Sequence, residues 1–183
     1  MKTLKKILLI GLVIIAIPFV IALIAPKGFY SERHIHIDRP QDEVFEYVRY
    51  VRNQDHFGVW QLSEPDMDYT EEGTDGTVGY TYTWSGEQTG KGSQTITNIS
   101  APDEVHTELD FGFGDPVQSI FQTEAVGPQQ TKVTWSMRGR TPYPWNVMNI
   151  LYDVGNDFEE GLQNLKEILE RPSNEEVLTD IQQ

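Results

Sequence analysis

The chain has no cysteine among its 183 residues. Disulfide staples, thiolate zinc sites, iron–sulfur clusters and cysteine nucleophiles are therefore excluded, and stability must come from an apolar core. Cations are also scarce, with 14 Lys and Arg against 28 Asp and Glu, for a net charge of -14. Nucleic-acid binding draws most of its affinity from Lys and Arg that neutralise phosphates. Nucleic acid is accordingly not an expected partner. The length suits one domain rather than two.

One long uncharged stretch stands apart, from Ile7 to Pro26 between Lys6 and Lys27. At about 1.5 Å per residue it reaches roughly 30 Å, one membrane crossing. Residues 1–27 are thus expected to form a transmembrane signal-anchor. Lys2, Lys5, Lys6 and the amino terminus lie on one side, with Lys27 and Arg33 the nearest charges on the other. The positive-inside bias places the N-terminus in the cytoplasm and the body of the protein outside, in a periplasm or beyond the cell. A cleaved signal peptide shares a basic start and an apolar run. Retention is favoured, because cleavage after Ala25 would set Leu23 where a small residue is needed and Pro26 just after the cut. Pro18 is tolerable within a membrane helix, where neighbours can satisfy freed backbone groups.

The remaining residues read as strands followed by a long helix. Glu32 to Asp38 alternate, with Ile35 and Ile37 facing inward and His34 and His36 outward. Pro40 suits a helix start, and Val44, Phe45, Val48 and Val51 make one apolar face of a helix ending near Asn53. A brief strand is expected around Met67 to Thr70. Val78, Tyr80, Tyr82 and Trp84 share a strand face, and strands follow at Ser93–Ser100, Val105–Phe111, Val117–Glu124 and Lys132–Arg138. In the last of these Val133, Trp135 and Met137 face in while Lys132, Thr134, Ser136 and Arg138 face out. This is an antiparallel meander. After Pro144 a continuous helical pattern runs to Arg171, with Leu151, Val154, Phe158, Leu162, Leu165 and Leu169 on one face and Pro172 as its stop. The sheet can bury its apolar face only against that helix, which predicts an α+β domain whose curved antiparallel sheet grips a long C-terminal helix. Residues 172–183 read as a polar, flexible tail.

Several strings carry a family resemblance: "SERHIHIDRPQDEVFEYV", "GYTYTW", "GSQTIT", "TKVTWSMRGRTPYP" and above all "DFEEGLQNLKEIL". In this order, over about Tyr30 to Arg171, they resemble the START-like (SRPBCC) superfamily in its polyketide cyclase/dehydrase branch. The resemblance implies a helix-grip, Bet v 1-like domain at 28–171 with a hydrophobic cavity between sheet and helix. It implies binding of lipids, sterols, polyketides or hormones, and only occasionally catalysis. Function resides in the site and not in the fold.

Alternation and helical spacing point Trp60, Tyr80, Tyr82, Trp84, Phe111, Phe121, Trp135, Met148 and Tyr152 toward the sheet–helix interface, a lining suited to an apolar or aromatic ligand. The same rings would otherwise simply fill a core. The hydroxyls of Tyr80, Tyr82 and Tyr152 would orient a ligand's polar end, or bond to backbone or water. Asp157 is the one weak catalytic candidate, a general acid or base if partly buried beside the tyrosines, or else a helix-edge partner of an arginine such as Arg33. His34 and His36 have a spacing compatible with a metal but face outward without a third ligand. The acids Glu64, Asp66, Asp68, Glu71, Glu72 and Asp75 fail the calcium-loop spacing and read as a solvated face. "GEQTGKGS" at 86–93 lacks the phosphate-loop spacing and reads as a hairpin. No motif calls for a metal or a cofactor.

The expected function is a membrane-anchored binder of a small hydrophobic molecule or lipid. The alternatives are a cyclase/dehydrase-like enzyme acting through Asp157, and an envelope interaction module whose acidic surface meets a basic partner.

Overall fold

The chain is described by a computed structural model over residues 2–171. The expected polar tail lies outside these residues. Helix α1, Lys2–Ile24, contains Pro18 and is exposed along almost all of its length. It is long and apolar enough to cross a membrane.

Strand β1, Gly28–Ile37, follows α1 after three intervening residues and buries Ser31 and Ile37 while leaving His34 and His36 exposed. Helix α2, Gln41–Val48, buries Val44, Phe45 and Val48. It stops there instead of near Asn53, and a 3-10 turn follows over Val51–His56. The cause is the carboxylate of Asp75, which accepts the N–H groups of Val51 at 2.9 Å and Arg52 at 3.1 Å and draws the chain off the helical path. Short helix α3, Val59–Ser63, leads to β2, Asp68–Glu72, and β3, Thr81–Ser85. Then come β4, Lys91–Ser100, β5, Glu104–Asp110, β6, Val117–Gly127, and β7, Gln130–Arg140. A 3-10 turn at Trp145–Val147, helix α4, Met148–Leu151, and helix α5, Gly155–Leu169, complete the described chain.

The strands form one seven-stranded antiparallel sheet in the order β1-β7-β6-β5-β4-β3-β2. Consecutive strands from β2 to β7 are neighbours, so short turns suffice, and β1 closes on β7. Helix α5 buries Phe158, Gly161, Leu162 and Leu165 against this sheet. Gly161 is required at the crossing, because a Cβ there would stand 3.0 Å from the Trp135 ring. The architecture is the helix-grip α+β arrangement.

Three local expectations are corrected. Val78 is 60% exposed and precedes β3, whereas Tyr80 is buried, its carbonyl accepting the Ile96 N–H at 2.9 Å and its own N–H donating to the Thr77 carbonyl at 3.2 Å. Thr134 and Ser136 are buried although they sit on the outward face of β7. They are short side chains in a central strand, opposite His34 and Glu32 of β1 and Gln122 and Ile120 of β6, whose longer side chains cover them. The C-terminal helix is interrupted. Tyr152 is extended, with φ -132° and ψ 125°, and Leu151 faces solvent. The interruption is held by Asp153, whose carboxylate accepts the Gly155 N–H at 2.9 Å, a Ser31 hydroxyl at 3.2 Å and an Arg33 guanidinium N–H at 2.7 Å. The gripped helix is therefore 15 residues, roughly 22 Å, instead of roughly 40 Å.

Candidate functional site

A cavity of about 700 Å³ opens between the concave face of the sheet, α3 and the interrupted C-terminal helix. Seven of the nine side chains expected to line it do so: Trp60, Tyr82, Trp84, Phe111, Trp135, Met148 and Tyr152. Tyr80 and Phe121 do not. Tyr80 packs in a separate cluster with Val51 and Ile96. Phe121 lies behind Trp135, stacked on it with ring centroids 4.7 Å apart, so the indole separates it from the cavity.

The indole of Trp135 organises the inner wall. It stacks on Phe158 at 4.5 Å and meets Phe57 and Trp60 edge-on at 6.1 and 6.3 Å. Its N–H donates to the Ser119 hydroxyl at 3.0 Å. Beside Ser119, the amide of Gln94 donates to the Thr107 hydroxyl at 3.0 Å, and Gln54 reaches the same space from the 3-10 turn. Gln54, Gln94 and Ser119 are all buried, so the floor of the cavity carries uncharged donors and acceptors within apolar walls. These three are not among the side chains expected to line the cavity. Their signal was a polar residue at an inward position, Gln94 two before Ile96 and Ser119 between Val117 and Phe121.

The tyrosine hydroxyls find carboxylates. Tyr80 donates to Glu71 at 2.8 Å, Tyr82 to Asp55 at 3.2 Å, and Tyr152 to Asp157. Burial, followed by Glu71 for Tyr80 and by Asp55 for Tyr82, raises both phenols well above the ordinary 10.0. Burial and then the Asp157 carboxylate push Tyr152 up to about 12. All three are neutral donors at physiological pH. Asp157 itself is half-buried, outside the cavity lining, and occupied by Tyr152. Arg33 pairs with Asp153, not with Asp157.

The acids expected to be merely solvated also hold structure. Asp75 fixes the start of the 3-10 turn, Glu71 joins Arg52 to Tyr80, and Glu64 caps the β3–β4 hairpin. The Glu64 carboxylate accepts the N–H and hydroxyl of Thr89, at 2.9 and 2.8 Å, and the N–H groups of Glu87 and Gln88. Thr89 lines the cavity, so Glu64 steadies part of its wall. These bonds, the Thr89 N–H first, hold the Glu64 carboxyl below its ordinary 4.5. Its folded value is below its unfolded value, so its contribution is present above about 4.5 and lost as pH falls through the folded value. Hydrogen-exchange protection of the Thr89 amide, corrected for intrinsic rates, should therefore collapse on acidification below that range. In Glu64→Gln it should be low at every pH; a pH-independent wild-type protection would contradict this.

The family described as polyketide cyclase / dehydrase and lipid transport matches residues 30–170. The chain belongs to this family. This member of the polyketide cyclase / dehydrase and lipid transport family shares its fold with norcoclaurine synthase from Thalictrum flavum, in a structure with dopamine and hydroxybenzaldehyde. That structure superposes with TM-score 0.61 at 11% identity, over 85% of this chain and 94% of the synthase. The Aha1 dimer from Colwellia psychrerythraea gives TM-score 0.56 at 16% identity, over 78% and 97% of the two chains. Protein MLL2253 from Mesorhizobium loti gives TM-score 0.59 at 9% identity, over 79% and 99%. At these identities the likeness establishes the fold alone. A search of curated proteins finds no match to this chain.

Proposed function

We propose that this family member is a membrane-anchored protein that holds a small hydrophobic molecule or lipid in the cavity between sheet and C-terminal helix. The observation that carries the reading is the cavity of about 700 Å³ itself, within the size range of ligand sites, with aromatic and methionine walls and an uncharged polar floor. That lining suits a ligand with an apolar body and one neutral group, a hydroxyl or carbonyl, able to reach Gln94 and Ser119. The lipid-transport part of the family description is consistent with it. Helix α1 supplies the anchor for residues 1–27, with the binding domain at 28–171. The basic residues ahead of the helix favour a cytoplasmic N-terminus and a domain on the outer side.

The test is to purify the full chain gently from its native membrane, extract it with organic solvent and record the mass spectrum of what is released. A discrete species in excess over the bulk lipid pattern is the expected result. Release of nothing beyond that bulk pattern would sink the reading.

A further inference from the structure

We infer that the domain does not hang from a loose tether but is clamped to the end of α1 so that the mouth of its cavity rests on the bilayer, with phospholipid headgroups as the surface it contacts. The inference rests on reading α1 as a membrane helix and the cavity as a ligand site.

The clamp is built from the segment that follows β7. A helix end leaves carbonyl groups without intrahelical partners, and such groups need other donors. Here Asn146, fully buried, donates its side-chain amide to the carbonyls of Ala22 at 2.7 Å and Ala25 at 2.9 Å. Asn149 donates to Pro26 O at 3.0 Å, while the Thr141 hydroxyl donates to Asn149 Oδ1 at 2.8 Å and fixes that amide. The Thr141 N–H donates to Lys27 O at 2.8 Å. Ala22 of α1 and Ala25 just past its end are buried under this contact although almost all the rest of the helix is exposed. A flexible linker would show no such set.

The clamp dictates what stands beside the membrane. Trp145, next to Asn146, is 60% exposed, and Ile150 and Leu151 of α4 are 56% and 72% exposed. Phe113, in the β5–β6 turn at the same end of the sheet, is 59% exposed. Contiguous apolar exposure of this kind marks an interaction surface, and Trp is at home where hydrocarbon meets headgroups. Ile150, Leu151 and Tyr152 also line the cavity, so the apolar cap and the cavity mouth are one feature. The charge agrees. Lys27, Arg138 and Arg140 cluster at this end, where Arg140 pairs with Gly28 and Arg138 with Tyr30 in the β1–β7 ladder. None of the three forms an ion pair among the described residues, whereas Arg33, Arg39, Arg49 and Arg52 all do. In a chain of net charge -14, cations left unneutralised beside a membrane helix fit phosphate groups; the acids at this end are Asp110 and Asp115 flanking the β5–β6 turn and Asp153 in the cavity lining, the last already paired with Arg33.

A hydrophobic ligand could then pass from the bilayer into the cavity past α4 without crossing water. The cysteine-free sequence makes the test direct. Leu151→Cys and Gln129→Cys would each carry a nitroxide, the second in the β6–β7 turn, roughly 30 Å away along a strand of 11 residues. The full chain is reconstituted in vesicles of phosphatidylcholine and phosphatidylglycerol, and label depth is read from relative collisions with oxygen and a water-soluble nickel chelate. The label at 151 should lie about 5–10 Å below the phosphates, as interfacial helices do, and the label at 129 in water. Asn146→Ala with Asn149→Ala should bring the label at 151 into water while the circular dichroism of the sheet is retained. If that double variant unfolds, the labels in the otherwise native chain still decide. A label at 151 in water in that native background, in protein that floats with the vesicles, overturns the docking but leaves the cavity reading to the mass spectrum. A chain that does not float defeats the anchor and the docking together. An immersed label with no extracted ligand upholds the docking and defeats the cavity reading.

Discussion

Replacing Trp135 with alanine is expected to destabilise the domain by about 3–5 kcal/mol, the range for removing a large aromatic side chain from a core. For a domain whose whole stability is about 5–15 kcal/mol, that is a large fraction. The size of the effect follows from position. Trp135 is 3% exposed, stacks between Phe121 and Phe158, touches Trp60 and Phe57 edge-on, and ties its N–H to Ser119. Its loss removes those contacts and opens the inner wall of the cavity into the core. Trp135→Phe keeps the stacking and gives up the hydrogen bond, so it should cost far less, about 1 kcal/mol for the bond together with the smaller ring. Urea unfolding followed by far-ultraviolet circular dichroism would read both. A Trp135→Ala midpoint equal to that of Trp135→Phe would show that the stack contributes little.

The second large effect concerns occupancy. Leu109 lies on β5 in the cavity lining and is buried. Leu109→Trp would place an indole in the space assigned to the ligand, at an overpacking cost of about 1–3 kcal/mol. The species extracted from the wild-type chain should then fall to background, while the unfolding transition shifts less than in Trp135→Ala. Undiminished extraction from a folded Leu109→Trp protein would mean that the ligand lies elsewhere.

Much of this architecture is legible in the residues, because a half-buried antiparallel sheet imposes a period of two. His34 and His36 against Ile35 and Ile37, and Val133, Trp135 and Met137 against Lys132 and Arg138, announce their faces without any tertiary knowledge. Parity, however, says which face a side chain takes and not how far along the sheet the cavity extends. Tyr80 and Tyr82 share a parity, yet Tyr82 reaches the cavity and Tyr80 lies beyond it under the 3-10 turn. Phe121 has the right parity and is screened by a neighbour from the next strand, which no single-strand pattern reveals.

The break before α5 escaped for a different reason. Leu151, Val154 and Phe158 keep helical spacing through it, and the residue that ends the regularity, Asp153, acts through Ser31 and Arg33 some 120 positions earlier in the chain. Asn146 is similarly silent, a lone polar residue between Pro144 and α4 whose partners are carbonyls at the end of α1. Long-range polar contacts made by single side chains leave no periodicity to read.

If α1 anchors the chain in a bilayer as proposed, the acidic strand β2 takes on a further meaning. It is the edge of the sheet, exposed at every residue, and it carries Asp68 and Glu72, while the third acid of the strand, Glu71, is taken up by Arg52 and Tyr80. Confinement to a plane makes encounters between copies far more frequent than in open solution, and it aligns them side by side. Such neighbours could meet edge to edge, the approach by which one sheet extends into the next. Like charges on a short strand oppose that approach. Crowding in the membrane would then leave the copies separate, each with its own cavity free to fill.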